Sequence, residues 1–277
     1  MKLRDEVGKR IKEKLDLLKT RAGHKKLLSD LLFPSKQREG DRQISLRYAD
    51  ELEKKIKTLE PLVRALRSHI DYIGDPDKNV AAYLLIGKSF TSLKATNLLV
   101  RNGYAFQVTE LVRSSIESLN LAGLFLEDGQ EKLLKRWFDG EIIGNRTARE
   151  VISKAVNKMN EANSSESIPF EDALSDIYSI YSSYTHSGYS ALFDFIDVFK
   201  EDFDFEQYSQ FHYNGKYLHL IDNLYVNILM GLKNFYIRAK DEENLTKVEA
   251  LLRNETGSFA NQEEIGKEMD RYKKLEK

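Results

Sequence analysis

Arg113 and Glu117 lie one helical turn apart in GYAFQVTELVRSSIESLNLAGLFLED, residues 103–128, and Glu110 and Asn120 share their side of a 100° wheel with Phe106 and Leu124. A guanidinium can clamp an oxyanion and a carboxylate can hold a proton, so this polar group set among apolar neighbours is the first candidate site. Its partners would come from YSIYSSYTHSGYSALFDF, residues 178–195, where Tyr181, Tyr184, Thr185 and His186 offer hydroxyls and an imidazole. In one reading His186 exchanges protons while Arg113 binds an anion. In the other, the same residues close a buried hydrogen-bond network that fixes helix register, because an enclosed charge without a partner is costly. The aromatic content of 178–195 favours the second reading, with His186 and its tyrosines closing onto Arg113 and Glu117.

Two further constellations are weaker. Arg64 and His69 have the Arg-x4-His spacing, but with 16 arginines and five histidines in the chain about one such match arises by chance. His212 and His219 stand seven apart and could join His186 and the carboxylates of Glu110, Glu117, Glu171, Asp172 and Asp176 around a metal. No Glu-x-x-His or His-x-x-x-His pair supports that, so solvated carboxylates and packing histidines are expected, and no metal. Phosphate-binding loops, nucleophile elbows and dinucleotide fingerprints are missing, and no cofactor is expected.

The elements that must position these residues are helical. Leu3, Val7, Ile11, Leu15 and Leu18 form a narrow stripe on a charged first helix. Leu52, Ile56, Leu59, Val63, Leu66, Ile70 and Ile73 follow at 4,3 spacing, the seam of a coiled coil or hairpin, with Pro61 predicted to kink it. FPSKQREGD, residues 33–41, reads as the turn between the two. Asp75-Pro76 predicts the start of the next helix and Arg101-Asn102-Gly103 its stop. Residues 104–127 are apolar around most of their circumference, which makes that helix central. A short helix carrying Trp137 and an amphipathic one through Val151, Ile152 and Val156 come next. Asn214-Gly215 could close a small hairpin, but Tyr217, Ile221, Leu224, Ile228, Leu232 and Phe235 continue at helical spacing, so it is read as the turn into the last core helix. The expected fold is therefore all-α: a basic helical arm or hairpin over 1–73, a helical bundle over 74–240, and a charged, peripheral helical tail over 241–277.

Composition limits the function. The chain has no cysteine, which removes disulfide, zinc-finger and thiolate chemistry and suits a reducing cytoplasm. No apolar run reaches the roughly 18 residues of a membrane helix, so no membrane partner is expected. Net charge is −1 overall, yet residues 1–70 hold 19 basic and 11 acidic side chains, net +8, while 171–206 hold nine acidic residues against Lys200. Solvated faces of opposite sign account for most such runs; a basic arm can also meet an acidic surface of its own chain or of a second copy, a nucleic acid such as RNA, or a protein partner. The thin seam of 52–73 predicts a homo-oligomer built through residues 1–73.

The central helix and the later YSIYSSYTHSG resemble a group of uncharacterised, largely bacterial helical proteins with an Arg-Ser-x-x-Glu helix and a Tyr-x-x-x-[ST]-x-x-x-His segment. The resemblance covers roughly residues 80–235 and aligns Arg113, Ser114, Glu117, Tyr181 and His186. Such proteins are broadly similar to the HEPN superfamily of helical bundles, whose active members cleave RNA with an Arg-x(4–6)-His motif and work as dimers. The chain is read as a binding or assembly module, for which the resemblance implies a bacterial defence or mobile-element setting. Its alternative is a metal-independent ribonuclease in which Arg113 and His186 act with Glu117 and Tyr181. No arginine precedes His186 by that spacing, so such a site would draw on two segments.

Overall fold

The computed structural model describes residues 34–71, 76–162, 196–197, 202–203 and 216–256. Helix α1 spans Pro34–Ala65 and tightens into a 3₁₀ turn at Leu66–His69. Then come α2 (Lys78–Arg101), α3 (Ala105–Leu126), α4 (Glu131–Phe138) and α5 (Asn145–Ala162). A two-residue antiparallel ladder pairs β1 (Ile196–Asp197) with β2 (Asp202–Phe203). Helices α6 (Lys216–Ala239) and α7 (Glu242–Thr256) complete the described chain. The fold is an all-α bundle, as the spacing of apolar residues predicts.

Helix α3 is the hub, touching α2, α4, α5 and α6. Ala105, Val108, Val112, Ile116, Leu119, Ala122 and Leu126 are buried along one side, while Phe106, Leu124 and Phe125 are buried elsewhere on its circumference. A helix so enclosed draws its stability from packing on several neighbours, not from its own propensity. Helix α6 meets the same core with Tyr217, Ile221, Leu224, Ile228, Leu232 and Phe235, all buried at the predicted spacing. Close approach is needed where α6 passes α3 and α2: a Cβ on Gly231 would stand 3.3 Å from Leu119 Cδ2. At the α2–α3 turn Gly103 takes φ +76°, a left-handed conformation that costs a side-chain-bearing residue and not glycine.

Several boundaries differ from the reading of the sequence. Residues from Pro34 onward are helical where a turn was expected. Proline is tolerated in a first helical turn, whose backbone donors have no partner anyway, and local pairs such as Gln43 with Glu39 support the next turn. At Pro61, by contrast, the helix continues as one and not two, as expected. Asp77, not Asp75, caps α2: its carboxylate accepts from the amides of Asn79 and Val80, both at 3.0 Å.

The seam of α1 is not an open face. Leu52, Ile56, Leu59, Val63 and Leu66 are buried, and α1 packs against α2 and α7. Tyr48 donates to Asp222 Oδ1 at 3.1 Å and to the Leu218 carbonyl, and Tyr236 OH donates to the Leu62 carbonyl, tying α1 to α6. Residues 49–66 therefore share one hydrophobic core with 81–148 and 217–252, so the described residues on either side of 73 and of 240 pack into the same core. The exposed-seam argument for self-association loses its premise over 52–66, and Ile73 and the stripe of residues 1–33 lie outside the described residues. Of the expected peripheral tail, the described part, 241–256, is packed: Leu245, Val248 and Leu252 bury one face of α7, and Lys233 on α6 forms an ion pair with the buried Glu249.

Candidate functional site

The polar face of α3 is where the sequence analysis places it. Arg113 Nε donates to Glu117 Oε1 at 3.0 Å, with the Arg113 side chain 13% exposed and that of Glu117 34% exposed. The pair thus sits between a surface contact and a sealed one. Glu110, one turn earlier, is exposed. Asn120 Nδ2 donates to Asn145 Oδ1 at 3.0 Å, which joins this face to the first residue of α5.

Helix α5 is seated on α3 by a local absence of bulk. A Cβ on Gly123 would lie 3.2 Å from Ile152 Cδ1, so the isoleucine fills the space a larger residue would occupy. Asn145, Ala148, Arg149 and Ile152 fall on one side of α5 by the 3.6-residue period. Ala148 is fully buried. Ser153, 1% exposed, borders that side, and its hydroxyl and the Asn145 amide nitrogen are buried without a hydrogen-bond partner. A buried polar atom left unpaired costs about 1–3 kcal/mol, so an amide donor and a hydroxyl left in this state need an explanation.

The other flank of α3 is met by α2. Lys88 Nζ donates to Ser118 Oγ at 2.9 Å and to Ser114 Oγ at 3.2 Å. Along α3 and α5 the guanidinium groups of Arg113 and Arg149, the Asn145 amide and the Ser153 hydroxyl stand beside the carboxylate of Glu117, while Glu110 is exposed and Glu150 is paired with Arg146. Such a set suits recognition of an oxyanion better than proton transfer.

Of the expected site residues, the structure brings Arg113 and Glu117 together, while Tyr181 and His186, with Tyr184 and Thr185, lie outside the described residues. Arg64 and His69 do not form a unit. Arg64 Nε donates to Glu60 Oε1 at 3.0 Å, whereas His69 Nε2 meets Asp241 Oδ2 at 2.8 Å with its ring edge against Phe235 and Tyr236. Burial works to raise the Asp241 carboxyl, but hydrogen bonds from Asn244 and from His69 outweigh it and hold Asp241 below the usual range. His219 is exposed on α6; His212, Glu171, Asp172 and Asp176 lie outside the described residues, among which no cluster of three metal-ligating side chains occurs.

Sequence reasoning missed the charged clamp around Lys55. Its ammonium bonds Glu255 Oε2 at 2.7 Å and Asp222 Oδ1 at 3.3 Å, and lies 5.2 Å from the Tyr225 ring centroid, joining α1, α6 and α7. Burial, and then the nearby Glu255 charge, push the Tyr225 hydroxyl up to about 12. The available signal was Asp222, the one acidic residue of α6. Compared with models of known protein families, with curated proteins and with solved structures, the chain matches none.

Proposed function

We propose that the protein is a helical-bundle binding and assembly module whose α3/α5 polar face receives an anionic group of its ligand, in the bacterial defence or mobile-element setting that the resemblance implies. The observation that carries this reading is the pair of unpartnered buried polar atoms, Asn145 Nδ2 and Ser153 Oγ, beside Arg149 on a face that also presents Arg113. Both atoms are placed to donate. An oxyanion accepts from an amide, a hydroxyl or a guanidinium; Asn145 and Ser153 stand two turns apart on α5, about 12 Å along its axis, so each would meet a different oxyanion of the ligand, and binding would satisfy donors that the apolar core cannot. The basic residues 1–70 would add sequence-independent attraction for RNA, or for an acidic surface of a protein or second copy.

The test uses the whole chain and two probes, inorganic phosphate and a labelled single-stranded RNA. Phosphate at about 100 times its dissociation constant should stabilise the fold by about 2.7 kcal/mol. Ser153→Ala and Arg149→Gln should lose that stabilisation. RNA binding should weaken steeply with salt, as counterion release requires. Intact RNA after incubation with a chelator supports a binding module. Fragments that vanish on Arg113→Ala and His186→Ala would establish the metal-independent ribonuclease instead, and no response to either probe would defeat the reading.

A further inference from the structure

Helix α2 has two faces, and only one of them is used. Its inner side buries Ala81, Ala82, Leu85, Ile86, Phe90, Leu93 and Val100. Its outer side carries Leu84, Lys88, Thr91, Ala95, Leu98 and Asn102 at spacings of 4,3,4,3,4, the pattern of a helix-pairing seam. Leu84 is 51% and Leu98 62% exposed. Lys88, Thr91 and Asn102 are also exposed, and a Cβ on the neighbouring Gly87 would meet nothing within 4 Å. Single surface leucines are ordinary. A seam running from Leu84 to Leu98 over the later two-thirds of the helix, with one charge in it, suits a helix covered on both sides.

Charge narrows the choice of what covers it. Helix α2 holds Lys78, Lys88, Lys94 and Arg101 and no acidic residue. Lys78 pairs with Asp128 at 3.2 Å, Lys94 with Glu60 at 3.9 Å and Arg101 with Asp50 at 2.9 Å. Lys88, in the middle of the outer seam, reaches only the Ser114 and Ser118 hydroxyls and has no carboxylate within ion-pair distance among the described residues. A second copy of α2 would bring cations alone to this surface. We infer that the outer face of α2 docks an acidic amphipathic helix of a partner protein, which sets apolar residues over Leu84 and Leu98 and a carboxylate against Lys88. Apolar contact would give affinity, and the Lys88 pair would set register and partner choice. The inference does not depend on the α3/α5 face.

The experiment measures fluorescence anisotropy of two labelled three-heptad peptides against the full chain. Both carry leucine at a and d; one has glutamate at e and g, the other lysine, so that like charges keep each from pairing with itself. The acidic peptide should bind and the basic one should not. Lys88→Glu should weaken the acidic peptide by about tenfold, which is about 1.4 kcal/mol, and raise binding of the basic one. Leu98→Asp and the milder Leu84→Gln should each reduce binding, with thermal melts like the parent because both side chains are exposed. Phosphate stabilisation should persist in all three variants, so failure here is separable from failure of the anion reading. Equal binding of both peptides, or of neither, overturns the inference. So does a parent protein that is dimeric by light scattering and becomes monomeric on Leu98→Asp, which would make a second copy the occupant.

Discussion

Replacing Arg113 by methionine keeps most of the side chain's apolar stem and removes the guanidinium that faces Glu117. The carboxylate left behind is 34% exposed and can turn partly to water, whereas Arg113 itself was 13% exposed. The loss should therefore fall between the ceiling for exposed pairs, about 1 kcal/mol, and the floor for breaking sealed ones, about 3 kcal/mol. A cost of about 2 kcal/mol is expected, or a melting temperature lower by about 4–8 °C for a domain of this size. Lys233→Met supplies the upper reference. Its partner Glu249 is only 5% exposed and Lys233 18%, so about 3–5 kcal/mol should be lost. Urea denaturation can be followed through Trp137, the chain's one tryptophan, whose ring stands 5.3 Å from that of Phe125. If Arg113→Met matches Lys233→Met, the α3 pair is a sealed structural device and the partly open face described above is wrong. If it costs nothing, the pair is an ordinary surface contact.

Acid stability should depend on Asp241, whose folded carboxyl is held below its unfolded range by Asn244 and His69. A depressed carboxyl contributes stability that is present above the unfolded value, near 3.8, and is lost as pH falls through the lower folded value. Asp241→Asn should therefore be less stable than the parent at pH 6 and converge on it at the acid end of a pH series of urea melts; a constant gap would exclude this origin. The glycines of α2 and α6 should respond in opposite directions. Gly87→Ala, in a helix interior with open space around its Cβ, should stabilise by up to about 1 kcal/mol. Gly231→Val should destabilise, because even the first added carbon lies 3.3 Å from Leu119 Cδ2; equal melting of the two variants would contradict the packing described for α6.

What could be read in advance depended on whether local spacing carried the information. Helix α6 was legible from Tyr217 to Phe235 because each apolar residue at helical spacing is buried, and the Asn102-Gly103 stop because few residues adopt the φ that Gly103 takes. The start of α1 was misread because proline and glycine at 34 and 40 have turn composition, yet both are compatible with a helix that is held by tertiary contacts further along, as at Tyr48. Charge density hid α7, where Leu245, Val248 and Leu252 bury one face among many polar residues. At the candidate site, Arg113 with Glu117 was visible as an i,i+4 pair. Asn120 with Asn145 was not, since nothing in linear spacing says which helices meet. The two 4,3 seams make the general point. Spacing shows that a face is built to be covered and leaves open what covers it. In α1 the cover is the chain's own α2 and α7, whereas Leu84 and Leu98 remain exposed along α2. A partner seam must therefore be sought on the helix whose inner face is already satisfied, and here that helix is α2 and not α1.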